Sequence, residues 1–237
     1  MNCLNSVSFK DLNTKSHLMS KKAIVAGASG LIGGELLQVL LGDASYDEVV
    51  ALVRTPVKLS HPKLNQIAID FDALDEYSHL IKGDVLFCTL GSTQKKTPNL
   101  KEYRKIDHDY VVKLAEIAVS NGISQFHLIS SIGANLKSSN FYTKMKAETE
   151  EDVKGSGIEG LIIYRPSLLT GNRKEHRLAE GLMQGLSRLI NPLLIGGLRK
   201  YRSIAAKTVA KAMVNLSNAA VKGFYVYESN DIVKEAE

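Results

Sequence analysis

Residues 21–42 read KKAIVAGASGLIGGELLQVLLG. The run KAIVAG (22–27) is a short apolar segment with β-branched residues, the signature of a buried strand. Leu31 to Leu41 follows a helical period, with Leu36, Leu37 and Leu40 on one stripe. Gly27, Gly30 and Gly33 stand directly between the two, in G-x-x-G-x-x-G spacing. At a strand–turn–helix junction each glycine has a task. Gly27 makes the tight turn, Gly30 lets the backbone approach a pyrophosphate, and Gly33 lets the helix pack closely on the sheet. The helix start adds unpaired N–H groups and a favourable dipole for an anion. Ser29, Leu31 and Ile32 belong to the same turn and join the glycines as candidate cofactor-binding residues.

Outward from this turn, apolar runs and helical periods alternate. EVVALVR (48–54), QIAIDF (66–71), DVLFCTL (84–90), SQFHLISS (124–131) and GLIIYRP (160–166) read as strands. Helices are expected over about Leu100–Ser120 and Phe141–Val153. Continuous apolar strands separated by helices imply a parallel sheet covered on both faces. With right-handed crossovers, this predicts an α/β protein with a Rossmann-type doubly wound sheet. After Pro166 the regularity fades. A helix in AAKTVAKAMVNLSNAA (205–220) and a strand in GFYVYES (223–229) close the chain. The expected organisation is a flexible extension over residues 1–20 and one domain over 21–237, with small C-terminal substrate-binding cap elements from about 167.

Composition narrows the class. Among 237 residues, 44% are hydrophobic and 23% charged, which excludes a disordered, collagen-like or coiled-coil chain. Two cysteines, Cys3 and Cys88, cannot staple a secreted fold. No apolar run is long enough to span a membrane, LIGGELLQVLLG and LINPLLIGGL being too short and interrupted by Glu35 or Pro192. Residues before Met19 lack an apolar h-region. They are rich in Ser and poor in acids, like a transit peptide, yet contain no Arg. The expected location is the cytoplasm. The net charge of +5 equals the excess in one stretch, Gly171 to Arg202. Seven basic residues there (Arg173, Lys174, Arg177, Arg188, Arg199, Lys200, Arg202) face two acids, Glu175 and Glu180. A solvated surface is one reading of that patch, and a rim attracting an anionic substrate is the other. Nucleic acid is not expected, because zinc-ligand spacing, RNA-binding aromatic motifs and tandem repeats are all missing.

The strand ends carry the cofactor reading. An acid about twenty residues past the glycines would accept ribose hydroxyls of NAD. This chain has Arg54 there instead, in ALVRTP, with Lys58 four residues on. A guanidinium can pair with a 2′-phosphate and stack on adenine, so NADP(H) is expected. An exposed strand-end arginine without a ligand is the plainer alternative. Asp70 and Phe71 would meet the adenine edge. CTLGST (Cys88 to Thr93), with Thr89, Leu90 and Gly91 as its cofactor-binding candidates, would border the ribose and nicotinamide.

Catalytic candidates lie in SSIGANLKSSNFYTKMKAE (130–148). Tyr142 and Lys146 are four apart on a predicted helix and share a face. A phenol with its ordinary pKa of about 10 is a poor acid–base catalyst at neutral pH, and a nearby ammonium favours the phenolate. Ser131, with Ser130 as understudy, can orient a carbonyl beside the phenol. A surface Tyr–Lys pair is the bland reading. No metal-ligand pattern is present.

GASGLIG, the SS strand end, YTKMK and YRPSLLTG together resemble the short-chain dehydrogenase/reductase superfamily, in its extended, atypical, epimerase-like branch. The likeness spans about Lys21 to Glu228. CTLGSTQKK, YRKIDHDYVVKLAEIA and RPSLLTGNRKEHR look like the oxidoreductase family named for the human HIV Tat-interacting protein. The resemblance implies NADP(H), a Ser–Tyr–Lys catalytic set, and Pro166 to Leu168 lining the nicotinamide. It also implies that Lys146 holds the nicotinamide ribose. Superfamily members often carry an Asn on the fourth helix in a proton relay. The position here is Asp107, which would cap or brace the site instead. The lid is shorter than in sugar-nucleotide epimerases. The expected activity is hydride transfer between NADP(H) and a carbonyl or alcohol on a small molecule, by a monomer or homodimer. A sugar-nucleotide epimerase or dehydratase, or a non-catalytic NADPH sensor, are the alternatives.

Overall fold

The computed structural model describes residues 20–171, 194–219 and 221–237. The chain runs β1 (Lys21–Ala26), α1 (Leu31–Gly42), β2 (Tyr46–Val53), β3 (Leu64–Ala68), β4 (Val85–Cys88), α2 (Leu100–Arg104), α3 (Tyr110–Ser120), β5 (Gln125–Ile129), α4 (Phe141–Gly155) and β6 (Gly160–Arg165). A small parallel pair, β7 (Leu169–Thr170) with β8 (Ile204–Ala205), precedes α5 (Ala206–Asn218), β9 (Gly223–Glu228) and α6 (Ser229–Glu235).

Seven strands form one sheet in the order β3-β2-β1-β4-β5-β6-β9, and every pairing is parallel. Because β1 lies between β2 and β4, the strand order reverses at its carboxyl end, the place where such sheets bind ligands. Register brings the strand ends into line. Ala26 pairs with both Leu52 and Cys88, Cys88 with Leu128, and Leu128 with Ile163. Gly27, Thr89, Ser130 and Pro166 therefore follow strands that finish along one edge.

The period of two along each strand divides the core into two layers. Val25, Val49, Ala51, Phe87, Ile162 and Tyr164 meet α1 and α5 on one face. Ile24, Val50, Leu86, Phe126 and Ile163 meet Val111, Leu114, Ala115 and Ala118 of α3 on the other. No helix among the described residues is long and apolar enough to cross a membrane.

Four local features differ from the pattern expected above. The third strand ends at Ala68, because the Asp70 side chain accepts from the Asp72 N–H and caps a 3-10 stretch, Phe71–Leu80. The predicted single helix over 100–120 is broken by a π-helical turn, Lys105–Asp109, in which the Tyr110 N–H reaches back to the Lys105 carbonyl. The last strand joins the main sheet beside β6, and α5 packs Val209, Ala210 and Met213 into the same layer as Leu36, Leu37 and Leu40. These two elements thus extend the sheet and its helical cover. A further 3-10 turn, Gly196–Tyr201, precedes β8. The expected extension before Ser20, and Arg173, Lys174, Arg177 and Arg188 of the basic stretch, lie outside the described residues.

Candidate nucleotide and catalytic site

Sterics at the first turn explain its glycines. Gly27 has φ +90°, and a Cβ there would stand 2.6 Å from the Thr89 carbonyl carbon. A Cβ on Gly33 would stand 2.1 Å from the Gly27 oxygen and 2.8 Å from Thr89 Oγ1. The turn is therefore wedged between α1 and the end of β4 at a distance that no other residue permits. Thr89 is itself fixed, since its N–H and hydroxyl both donate to the Ala26 carbonyl, at 2.8 and 2.9 Å. Helix α1 opens on Gly30 with no side-chain cap and no acid in its first turn. Its positive end is thus left without a side-chain acceptor.

A cleft of about 550 Å³ opens beside this turn. Its lining comes from successive strand ends and from α4, which carries Tyr142 and Lys146: Gly30, Leu31 and Ile32; Thr89, Leu90 and Gly91; Ser130 and Ser131; Tyr142 and Lys146; Pro166 and Leu168. All of these were singled out by the sequence. So were Ser92 and Thr93, within CTLGST, Ser167, within Pro166 to Leu168, and Asp107, which also line it. Ile129, Leu169, Thr170 and Gly171 line it and were not. Ile129 immediately precedes the two serines, and the other three continue the chain past Leu168. Gly27, Ser29 and Gly33 sit in the turn without lining the cleft. Three further candidates lie elsewhere. Arg54 is exposed past β2, forms no ion pair among the described residues and does not line the cleft. Asp70 is exposed and occupied as a cap. Phe71 is buried, with its ring 5.6 Å from that of Tyr110.

Helix α4 sets the catalytic candidates. Asn140 Oδ1 accepts the N–H groups of Tyr142 (2.9 Å) and Thr143 (3.2 Å), so the helix begins just before Tyr142. Tyr142 is half-buried, its ring stacked on Tyr103 at 6.2 Å and 14°. One turn on, Lys146 is buried and its Nζ lies 5.9 Å from the Tyr142 ring centroid. Lys146 Nζ also stands 3.0 Å from Asp107 Oδ1. Burial works to lower the pKa of this ammonium, but the Asp107 carboxylate, with the Tyr142 phenol, outweighs it and holds the value above the usual lysine range. Lys146 therefore stays charged inside the cleft.

The two serines divide. The Ser130 hydroxyl donates to Glu150 Oε1, and the same buried carboxylate is gripped by Arg165 through Nε at 2.9 Å and through a second guanidinium nitrogen. Ser130 is thus engaged by a clamp joining β5, α4 and β6. Among the described residues, the Ser131 hydroxyl makes only a long contact, 3.3 Å, to the adjacent Ile132 carbonyl. The Ile132 N–H donates to the Pro166 carbonyl at 3.0 Å, tying the two loops. Cys88 ends β4 fully buried, and burial pushes its thiol up to about 12, so it is no nucleophile. No cluster of metal-ligating side chains occurs among the described residues.

A family described as NAD(P)H-binding matches residues 27–219. Protein HTATIP2 of Rattus norvegicus is 33% identical over 202 residues, covering 84% of this chain and 81% of that protein. Protein FMP52, mitochondrial, of Chaetomium globosum is 31% identical over 222 residues, covering 89% and 95%. Among solved structures, the Bordetella bronchiseptica enzyme WbmH in complex with NAD+ superposes with a TM-score of 0.67 at 18% identity, over 88% of this chain and 75% of that one. The Helicobacter pylori ADP-L-glycero-D-manno-heptose-6-epimerase gives 0.67 at 19%, over 92% and 81%. The structural likenesses establish the fold. The glycine turn falls inside the matched region, and relatives above 30% identity run along most of the chain, so this protein belongs to the NAD(P)H-binding Rossmann family that includes HTATIP2 and FMP52.

Proposed function

We propose that this protein is an NADP(H)-dependent oxidoreductase of the short-chain dehydrogenase/reductase type, acting on a carbonyl or alcohol of a small molecule. The observation that carries this reading is that Ser131, Tyr142 and Lys146 line one cleft together with the glycine turn. The residues fit a dinucleotide. Gly27 and Gly33 leave no side chain where the backbone must come close, and the start of α1 offers its N–H groups without a competing cap.

When bound, the dinucleotide supplies the hydride. Everything else falls to side chains. Ser131, whose hydroxyl has no strong partner among the described residues, donates a hydrogen bond to the substrate oxygen and holds it beside Tyr142. Tyr142 gives its proton to that oxygen as a carbonyl is reduced, or takes one from an alcohol in the reverse direction. The phenolate left after reduction develops beside the Lys146 ammonium, a fixed positive charge that costs nothing to reorient. Ser130, committed to Glu150, holds α4 in place. NADP(H) preference rests on Arg54, the first cation after the second strand, and on the lack of an acid at that strand end. A small-molecule substrate, anionic ones included, is our reading of the cleft. A monomer or homodimer in the cytoplasm remains our reading, although the fungal FMP52 relatives are named mitochondrial, and fractionation of tagged protein distinguishes the two locations.

The test is calorimetric titration with NADPH, followed by turnover against a carbonyl panel. Tyr142→Phe keeps the ring and removes the proton donor, so turnover falls by about 10²-fold or more, the scale of general acid–base catalysis. Dinucleotide affinity stays within a few-fold. Unchanged turnover in that variant, or no nucleotide binding by the unmutated protein, refutes the proposal.

A further inference from the structure

Asp107 is 1% exposed, yet it lines the cleft. Its Oδ2 accepts the Ser92 N–H at 2.6 Å, and its main-chain carbonyl accepts the Thr149 hydroxyl at 3.2 Å. Among the described residues, the one donor that its Oδ1 faces is the Lys146 ammonium, at 3.0 Å, with which it pairs. No backbone N–H, hydroxyl or amide among them reaches this oxygen. A carboxylate oxygen has lone-pair room for a second donor beside one ammonium, and because Asp107 lines the cleft, a ligand hydroxyl can occupy it. The backbone has been remodelled at this point. Asp107 sits in the π-helical turn that interrupts the helix over 100–120, and such turns recur at functional sites.

We propose that Asp107 is a ligand-binding residue, whose Oδ1 accepts a hydrogen bond from a hydroxyl of the nicotinamide ribose while its charge holds Lys146 in place. The inference rests on the dinucleotide reading of the cleft given above. A carboxylate only accepts, so this atom suits a sugar hydroxyl and disfavours a phosphate oxygen. Its surroundings agree. Oδ1 lies 3.4 Å from where a Gly91 Cβ would be, so the strand end expected to border that ribose has no side chain in the way. Lys146, implicated in holding the same ribose, is its immediate neighbour. One carboxylate thus joins the Gly91–Ser92 turn, through the Ser92 N–H, to the catalytic helix, through Lys146. A bound ribose would supply a second donor to Oδ1.

Calorimetry with two probes tests this: NADP+, which carries the nicotinamide ribose, and adenosine 2′,5′-bisphosphate, which does not. NAD+ and ADP replace them if the unmutated protein prefers NAD+. In Asp107→Asn the oxygen stays with the Ser92 N–H, and an NH2 donor replaces Oδ1. NADP+ affinity should fall about tenfold or more, the scale of one charge-assisted hydrogen bond. Affinity for the adenosine fragment should stay unchanged. Asp107→Glu keeps the charge beside buried Lys146, and so keeps the fold, but displaces the oxygen by one methylene. It should show the same selective loss at an unchanged Tm, and it carries the test if the Asn variant does not fold. Equal losses for both probes mean a merely structural residue and overturn the proposal, as does unaltered NADP+ binding in either folded variant. Failure of the unmutated protein to bind either probe overturns the dinucleotide reading itself, and the proposal with it.

Discussion

Acidification probes a second buried polar group, His127, far from any proposed chemistry. It is 0% exposed in the middle of β5. Gln125 Nε2 faces the carbonyls of Ser217 and Ala219, so Gln125 Oε1 faces His127 Nε2, at 3.1 Å, and accepts its proton. His127 Nδ1 is then the acceptor for the Tyr164 hydroxyl, at 2.9 Å. This arrangement suits the neutral ring. Burial, with a small push from the Lys21 charge, lowers the pKa of His127 from 6.5 to about 3. Between these two values the unfolded chain binds a proton that the folded one refuses. Stability is therefore complete above about pH 6.5 and falls as pH drops through that window. At pH 5, 1.5 units below the unfolded value, the loss is about 2 kcal/mol at 1.36 kcal/mol per unit. The measurement is urea unfolding at pH 7 and pH 5, for the unmutated protein and for His127→Gln. Every other group is common to both proteins and cancels in the difference. The unmutated protein should lose about 2 kcal/mol more than the variant on acidification. Equal losses would show that His127 accepts a proton without unfolding and would refute the reasoning.

Two further outcomes follow from the turn and the second strand. Gly33→Ala sets a methyl 2.1 Å from the Gly27 oxygen, which is backbone and cannot swing aside; dinucleotide binding should fall below detection by calorimetry, with a Tm drop of several degrees. Arg54 is exposed and makes no ion pair among the described residues, which leaves it for a 2′-phosphate. NADPH should bind at least about tenfold tighter than NADH, and Arg54→Ala should erase most of that gap while leaving NADH affinity within about twofold. Equal affinities in the unmutated protein would return Arg54 to the role of an exposed strand-end residue.

The legible part of this molecule is the part governed by short-range rules. Gly27 and Gly33 could be read because a tight turn under a packed helix admits nothing larger. Five of the six strands from 21 to 166 could be read because burial on both faces demands unbroken apolar runs, whereas β3, at the sheet edge, is only part-buried. The less legible part depends on competition between distant groups. Asp70 is a residue type that caps turns, but the run QIAIDF reads on through it, and what sends the Phe71 ring into the core is the distant Tyr110 against which it packs. The two serines after β5 are indistinguishable in sequence. Only the arrival of Glu150 from α4 and Arg165 from β6 commits Ser130 and leaves Ser131 for the cleft. The closing strand could be foreseen as a strand, but its place beside β6 depends on a pairing with residues some sixty positions earlier, from Gly160↔Gly223 to Arg165↔Glu228.

Asp107 shows where the two kinds of information meet. The sequence marks it as an acid where many superfamily members have an amide, and that is as far as spacing can go. The structure adds that a π turn carries the side chain to the cleft, that one oxygen holds the Ser92 N–H while the other faces Lys146, and that this lysine is held charged. An amide at this position would offer Ser92 its oxygen and leave an NH2 against the ammonium of Lys146, two donors facing one another in a buried site. The acid removes that conflict and balances the charge of Lys146. Because burial strengthens both the attraction and the cost of leaving either partner alone, Asp107 and Lys146 should behave as one unit. A substitution at either position is then expected to change what the other can hold.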